Sequence, residues 1–321
     1  MKNVKELVDK ELRGSFSSLK MAPYLASRNW GIRSMNFMGS FSNGKKIKGL
    51  HNEERYISSK SDGPDIRIRI FKPLDAKGKL PCLLYNHGGG YLLGNPEMFN
   101  DVMKQFIEKR PCVVISADYR RALDAPYPAA FDDCYDTLLW AKENANELGI
   151  YDHNFIVAGH SAGGGLTAAI TLKARDTGDV NIAFQMPIYP MLDDRQNTRS
   201  AMEMTSVPAW NTKSNKKGWD TYLKDVRAKG RETPTYAAPA RNEDYTGFPP
   251  TITFVGNLEP FKDETIAYAE ALKKEGVDIK FKIYEGCFHG FDVFVPKAQI
   301  SKDAVTFTYD SYAEFYDKYV K

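Results

Sequence analysis

The sequence predicts an α/β fold, a mostly parallel central sheet with helices on both faces. Three observations carry that prediction. Short apolar runs bounded by Gly or Pro alternate with longer stretches of helical period. Glycine clusters follow two of those runs directly, at His87-Gly88-Gly89-Gly90 and at Gly159-His160-Ser161-Ala162-Gly163. In such sheets ligands bind beyond the carboxyl ends of the strands, which is where these clusters fall. Finally, 321 residues with 42% hydrophobic and 26% charged side chains can bury a large core without staples.

Taken in order, Val4, Leu7, Val8 and Leu12 recur at helical spacing, so the first dozen residues read as an amphipathic helix. Residues 15–50 are mixed and read as irregular structure with short helices. Asp65 to Phe71 alternates apolar and polar, the period of a half-buried strand. Buried strands follow at Leu80 to Tyr85, Cys112 to Ser116, Phe155 to Ala158, Ala183 to Ile188, Thr251 to Val255 and Ile279 to Tyr284. Helical periods occupy Phe99 to Glu108, Phe131 to Asn146, Ala162 to Ala174, Asp263 to Glu275 and Ser301 to Tyr319. Residues 191–247 are more polar, with Trp210 and Trp219 among Lys and Asn, and read as an insertion.

Composition excludes several classes. The formal charge is +3 and is spread along the chain, so no concentrated basic face for nucleic acid is expected. Cys82, Cys112, Cys134 and Cys287 form no CxxC pair and no zinc-ligand spacing, so no metal and no cofactor is expected. The N-terminus lacks the apolar region of a signal peptide, and no run approaches about 18 apolar residues. A cytoplasmic protein without a membrane span is the expectation.

The chemistry concentrates at three places. A serine on a strand–turn–helix, Gly159-His160-Ser161-Ala162-Gly163, presents its Oγ above the sheet, with the start of the helix supplying backbone donors. The glycines His87-Gly88-Gly89-Gly90-Tyr91 let N–H groups turn toward one point, and with Ala162 they would form an oxyanion hole. A phosphate loop is excluded because no Gly-Lys-Ser/Thr follows, and a dinucleotide fingerprint because Leu93 stands where the third glycine is needed. His289, after the last strand, is the histidine best placed to act as base, whereas His51 and His153 read as surface residues. The acid should lie between serine and histidine, just after a strand. Glu259, Asp263 and Glu264 compete there; Glu259 is nearest the strand end, and Asp263 is placed to cap the following helix.

These stretches, in this order, resemble the α/β-hydrolase fold and, within it, the hormone-sensitive-lipase-like serine esterases, similar to bacterial acetyl and short-chain carboxylesterases. The likeness extends to Asp118-Tyr119-Arg120, Pro126, Pro128-Ala129-Ala130, Asp133, Tyr189-Pro190-Met191-Leu192-Asp193-Asp194 and Leu258-Glu259-Pro260-Phe261-Lys262-Asp263-Glu264, covering roughly residues 60–295. It implies catalytic Ser161, His289 and Glu259, an oxyanion hole of Gly88, Gly89 and Ala162, and hydrolysis of short acyl esters, acetyl esters first, through an acyl-enzyme. An amidase or acyltransferase with the same triad, or a non-catalytic ligand-binding protein on the same scaffold, are the alternatives. The family usually has Asp where Glu259 stands and often Asp where His160 stands. It also implies an N-terminal cap segment at residues 1–50, a catalytic domain at 51–321 with a cap-forming insertion at about 193–240, and homodimers as a common assembly.

Overall fold

The computed structural model of the chain describes residues 4–61 and 63–320. Eight strands form one sheet in the order β1-β2-β4-β3-β5-β6-β7-β8. They are β1 (Leu50–Ile57), β2 (Ile66–Pro73), β3 (Cys82–Asn86), β4 (Val113–Ala117), β5 (Phe155–His160), β6 (Ile182–Ile188), β7 (Thr251–Leu258) and β8 (Ile279–Phe288). β2 runs antiparallel to both β1 and β4, and β3 through β8 are parallel.

The central strands are buried throughout, because helices cover both faces. Successive residues therefore feed different halves of the core. Leu83, Val114 and Ile156 join a cluster with Met103 and Phe106 of the helix Asn100–Lys109 and with Tyr312 and Phe315 of the helix Gln299–Tyr319. Their neighbours Leu84, Ile115 and Val157 join another, with Leu138 of the helix Ala129–Glu143 and with Leu166 and Ile170 of the helix Ala162–Thr177.

The structure differs from the sequence expectations at three places. β1 is an edge strand whose residues His51-Asn52-Glu53-Glu54-Arg55 carry no apolar alternation. Charge on an exposed edge blocks pairing with another chain and also erases the strand signal. The first dozen residues are not one helix. Among the described residues the helix is Val4–Leu7, and Val8 and Leu12 are buried as the chain turns, with the Asp9 N–H donating to the Gly286 carbonyl at 2.9 Å. Residues 15–50 include a full helix at Asn29–Ser40, with Gly31 and Ile32 inside. Its exposed side mixes Trp30, Phe37 and Met38 with Arg33 and Ser34, so it lacks the two-sided pattern by which a surface helix is read from sequence.

Candidate active site

Register brings the distant residues together. Leu258 of β7 pairs with Phe288 of β8, the last residue of each strand, so Glu259 and His289, which follow directly, leave the sheet side by side. On β5, His160 pairs with Ile188, and Ser161 follows at once. Ser161 takes φ 60° and ψ −120°, a backbone region costly for a non-glycine residue. Its N–H and C=O pin the turn, bonding the Ile188 carbonyl at 2.9 Å and the Met191 N–H at 3.0 Å. The helix start then passes so close to β3 that a Cβ at Gly163 would sit 2.0 Å from the Asn86 carbonyl oxygen.

The Ser161 Oγ lies 2.8 Å from His289 Nε2, and His289 Nδ1 lies 2.5 Å from Glu259 Oε2. A carboxylate only accepts, so Nδ1 carries the proton and Nε2 is free to accept from the serine hydroxyl. The second Glu259 oxygen accepts from the Gly256 N–H at 2.9 Å, and its carboxylate is fully buried. The rings of Tyr189 and Phe261 meet His289 edge-on at 4.8 and 5.0 Å. The histidine is thus held from four sides. A serine hydroxyl, an imidazole and a carboxylate are thus hydrogen-bonded in one line.

Asp263 is elsewhere. Its carboxylate accepts from the Ser200 N–H at 2.8 Å and its own N–H donates to the Ser200 Oγ at 3.0 Å, so it caps the start of the helix Arg199–Glu203. The expected cap on the following helix, Lys262–Lys274, is not formed, because its N-cap position is Phe261, whose side chain cannot accept a hydrogen bond. Glu264 is also occupied: its buried Oε1 accepts from the N–H groups of Leu192 and Asp193, and burial pushes its pKa up.

Gly88 and Gly89 lie beside the serine; a Cβ at Gly88 would come within 3.5 Å of the Ser161 Cβ. Gly89 has φ 131°. Its carbonyl accepts from Leu92 and Leu93, while among the described residues no backbone carbonyl accepts from the N–H groups of Gly88, Gly89 or Ala162. His87 points away, stacked on Tyr119 at 4.0 Å and lowered by burial to a pKa of about 4. The floor just described opens into a cavity of about 240 Å³ that is mainly apolar, walled by Phe99, Leu93, Trp210, Met35 and Phe294.

Sequence reasoning missed several neighbours. His160 lines the cavity, and its Nδ1 accepts from the Tyr85 hydroxyl at 2.8 Å. Burial lowers its pKa to about 3, so it stays neutral, and burial keeps the Tyr85 phenol protonated as the donor. Asp292, three residues past His289, is buried with Oδ1 unpartnered and is raised by burial to about 6. Tyr189, at φ 34°, bridges the two, its hydroxyl donating to Asp292 Oδ2 at 3.4 Å. His160 stands inside the Gly159–Gly163 motif and Tyr189 opens another stretch quoted above, but only packing shows that they meet and that Tyr189 reaches Asp292. Of the other titratable candidates, all four cysteines are free and buried, with Cys287 raised by burial, and His51 and His153 are exposed as expected.

A family model described as an alpha/beta hydrolase fold matches residues 83–293. The chain belongs to the α/β-hydrolase family. Within it the chain falls among the hormone-sensitive-lipase-like members. It is 33% identical over 254 residues to the Carboxylesterase NlhH of Mycobacterium tuberculosis, covering 78% of this chain and 79% of that one. The Esterase LipI of the same organism is 31% identical over 246 residues, covering 75% and 76%. The solved structure of a bacterial heroin esterase superposes with a TM-score of 0.90 at 30% identity, covering 98% of this chain and 99% of that one.

Proposed function

We propose that this chain hydrolyses short-chain acyl esters, acetyl esters foremost, through an acyl-enzyme on Ser161. The class is not in question: the family and its esterase relatives make the chain a serine hydrolase of carboxylic esters. The observation that carries the finer reading is the unbroken line from Ser161 through His289 to Glu259 at the floor of an apolar cavity.

In this reading Ser161 Oγ attacks the ester carbonyl as its proton passes to His289 Nε2. Glu259 holds the imidazole in the required tautomer and stabilises its positive charge. The N–H groups of Gly88, Gly89 and Ala162 stabilise the tetrahedral oxyanion; loss of one such donor costs about 3 kcal/mol. His289 then protonates the departing alcohol, and water repeats the sequence on the acyl-enzyme. The cap is made by residues 1–50 and about 193–240, which supply Ala22, Met35, Ala209 and Trp210 to the cavity wall. The volume supports small substrates. It equals roughly eight waters at about 30 Å³ each and lies below the usual range for drug-sized ligands.

The test is turnover of p-nitrophenyl acetate by Ser161→Ala. Loss of at least about a thousandfold in kcat is expected, with the thermal midpoint retained. Undiminished turnover by the folded variant would remove Ser161 from the chemistry.

A further inference from the structure

The expectation of charge spread along the chain fails at one stretch. Between Glu11 and Glu53 the chain has no acidic residue but seven basic ones, Arg13, Lys20, Arg28, Arg33, Lys45, Lys46 and Lys48, so the remainder of the chain is net acidic. The same stretch carries the densest exposure of large apolar side chains. On the helix Asn29–Ser40 and the turn after it, Trp30, Phe37 and Phe41 stand 59%, 67% and 78% exposed, at the spacing of a single outward stripe. Met38 and, on the preceding helix Met21–Ala26, Met21 and Tyr24 extend it.

The stripe stands alone. Gly31 and Ile32 form the inner face of the helix, and Asn36 ties it to the Leu92 carbonyl at 2.9 Å. Phe37 and Phe41 contact each other edge-on at 5.2 Å. Among the described residues, Lys20, Arg28, Lys45, Lys46 and Lys48 form no ion pair, and Arg33 reaches only Asp124, at 3.5 Å between two exposed groups. The stripe also adjoins the cavity mouth: Met98, which lines the cavity and is 56% exposed, lies 3.6 Å from where a Gly39 Cβ would be.

We propose that this face docks the protein on an anionic lipid surface, with Trp30, Phe37 and Phe41 entering the headgroup boundary and Lys45, Lys46, Lys48 and Arg33 facing lipid phosphates. Aromatic and Met side chains beside unpaired cations are the composition of interfacial amphipathic segments. Each cation near an anionic leaflet adds about fivefold to binding, and the apolar residues add affinity that salt does not remove. A nucleic acid would use the cations and leave the Phe and Met side chains in water. A second copy would bring seven like charges against seven. The geometry leaves the cavity mouth at the lipid surface, where apolar molecules concentrate. The inference does not depend on the chemistry at Ser161.

The experiment is co-sedimentation of the full chain with phosphatidylcholine vesicles, alone or with about one-third phosphatidylglycerol. Binding to the mixed vesicles only, weakened by salt, with a blue shift of tryptophan emission, is expected. Lys45→Glu with Lys46→Glu should weaken it at least about tenfold. The combined Trp30→Ser, Phe37→Ser and Phe41→Ser variant should lose it while keeping its circular-dichroism melting point. The inference is overturned if the chain ignores both vesicle types, or if the folded triple variant binds as wild type does. It is equally overturned by lipid-free dimers that dissociate on the triple substitution, or by duplex DNA bound in preference to the mixed vesicles.

Discussion

Glu259 accepts two hydrogen bonds that fix it completely, one from His289 and one from the Gly256 N–H. The extra methylene relative to Asp is therefore absorbed by a backbone contact and does not loosen the ring. Glu259→Gln would present an amide that can meet His289 only in the wrong tautomer, and loss of about 10³ to 10⁴ in kcat is expected. Asp263→Asn, whose carboxylate sits on Ser200, should leave kcat within about threefold and lower the melting temperature instead. The reverse ranking of the two folded variants would make Asp263 the acid. Asp292 belongs to the same scale. Its folded pKa of about 6 lies above its ordinary value of 3.8, raised by burial. Folding therefore favours the protonated form, and stability falls as pH rises through the window from 4 to 6. Asp292→Asn removes that cost, up to roughly 3 kcal/mol above the window. The melting temperature of the variant should exceed that of wild type at pH 8, and the gap should close at pH 4. An unchanged gap across that range would show that Asp292 is not held protonated by the fold.

At the scale of elements, the site is a consequence of three strand ends in one parallel block. β5 delivers Ser161, β7 delivers Glu259, and β8 delivers His289. A shift in the β7–β8 register would separate Glu259 from His289, since Leu258 and Phe288 are partners only through the irregularity beside Gly256. The segment between β6 and β7 supplies Ala209 and Trp210 to the cavity wall. Trp210 packs against Gly90 so closely that a Cβ there would lie 2.1 Å from the ring. Trp210 also closes one wall. Trp210→Ala should therefore enlarge the cavity and move the preferred acyl chain from acetyl toward hexanoyl or longer in a p-nitrophenyl ester series. Hydrolysis of acetyl esters is expected to fall about tenfold through loss of contact. An unaltered chain-length profile would place the acyl group in another part of the cavity.

Across the whole molecule, one buried carboxylate links the N-terminal segment to the sheet. Glu97 is the hub. Its fully buried carboxylate pairs with Arg67 and Arg69 of β2 and accepts from the Gly44 N–H at 2.9 Å. Removing one partner of a buried ion pair typically costs about 3–5 kcal/mol; here Arg67 keeps Glu54 and Asp118, and Arg69 keeps Glu54, which sets the low end of that range. Glu97→Gln is accordingly expected to lower global stability by that order in urea titrations, with an unchanged m-value. A loss below about 0.5 kcal/mol would mean that Glu54 and Asp118 already compensate the two arginines. Among the described residues no helix is long and apolar enough to cross a membrane.

Much of this was legible in the linear chain because strand and helix periods are local and because close backbone approach demands glycine. Leu83 and Leu84 alternate faces whatever surrounds them, and the turn around Ser161 can be recognised without knowing its neighbours. The residue identities at positions 161, 259 and 289 likewise limit the chemistry to what Ser, Glu and His can do. Other features are properties of packing. β1 is a strand only because β2 offers it hydrogen bonds, since its own residues are polar. Asp263 and Glu259 are four positions apart and chemically alike, and only the direction each takes from the end of β7 distinguishes a helix cap from a partner of His289. The pairing of His160 with Tyr85 spans 75 positions, and the raised pKa of Asp292 comes from burial, which no sequence period records. Sequence alone determined which side chains were on offer and on which local elements. Tertiary structure decided which of them meet, because contact and desolvation depend on distance in space.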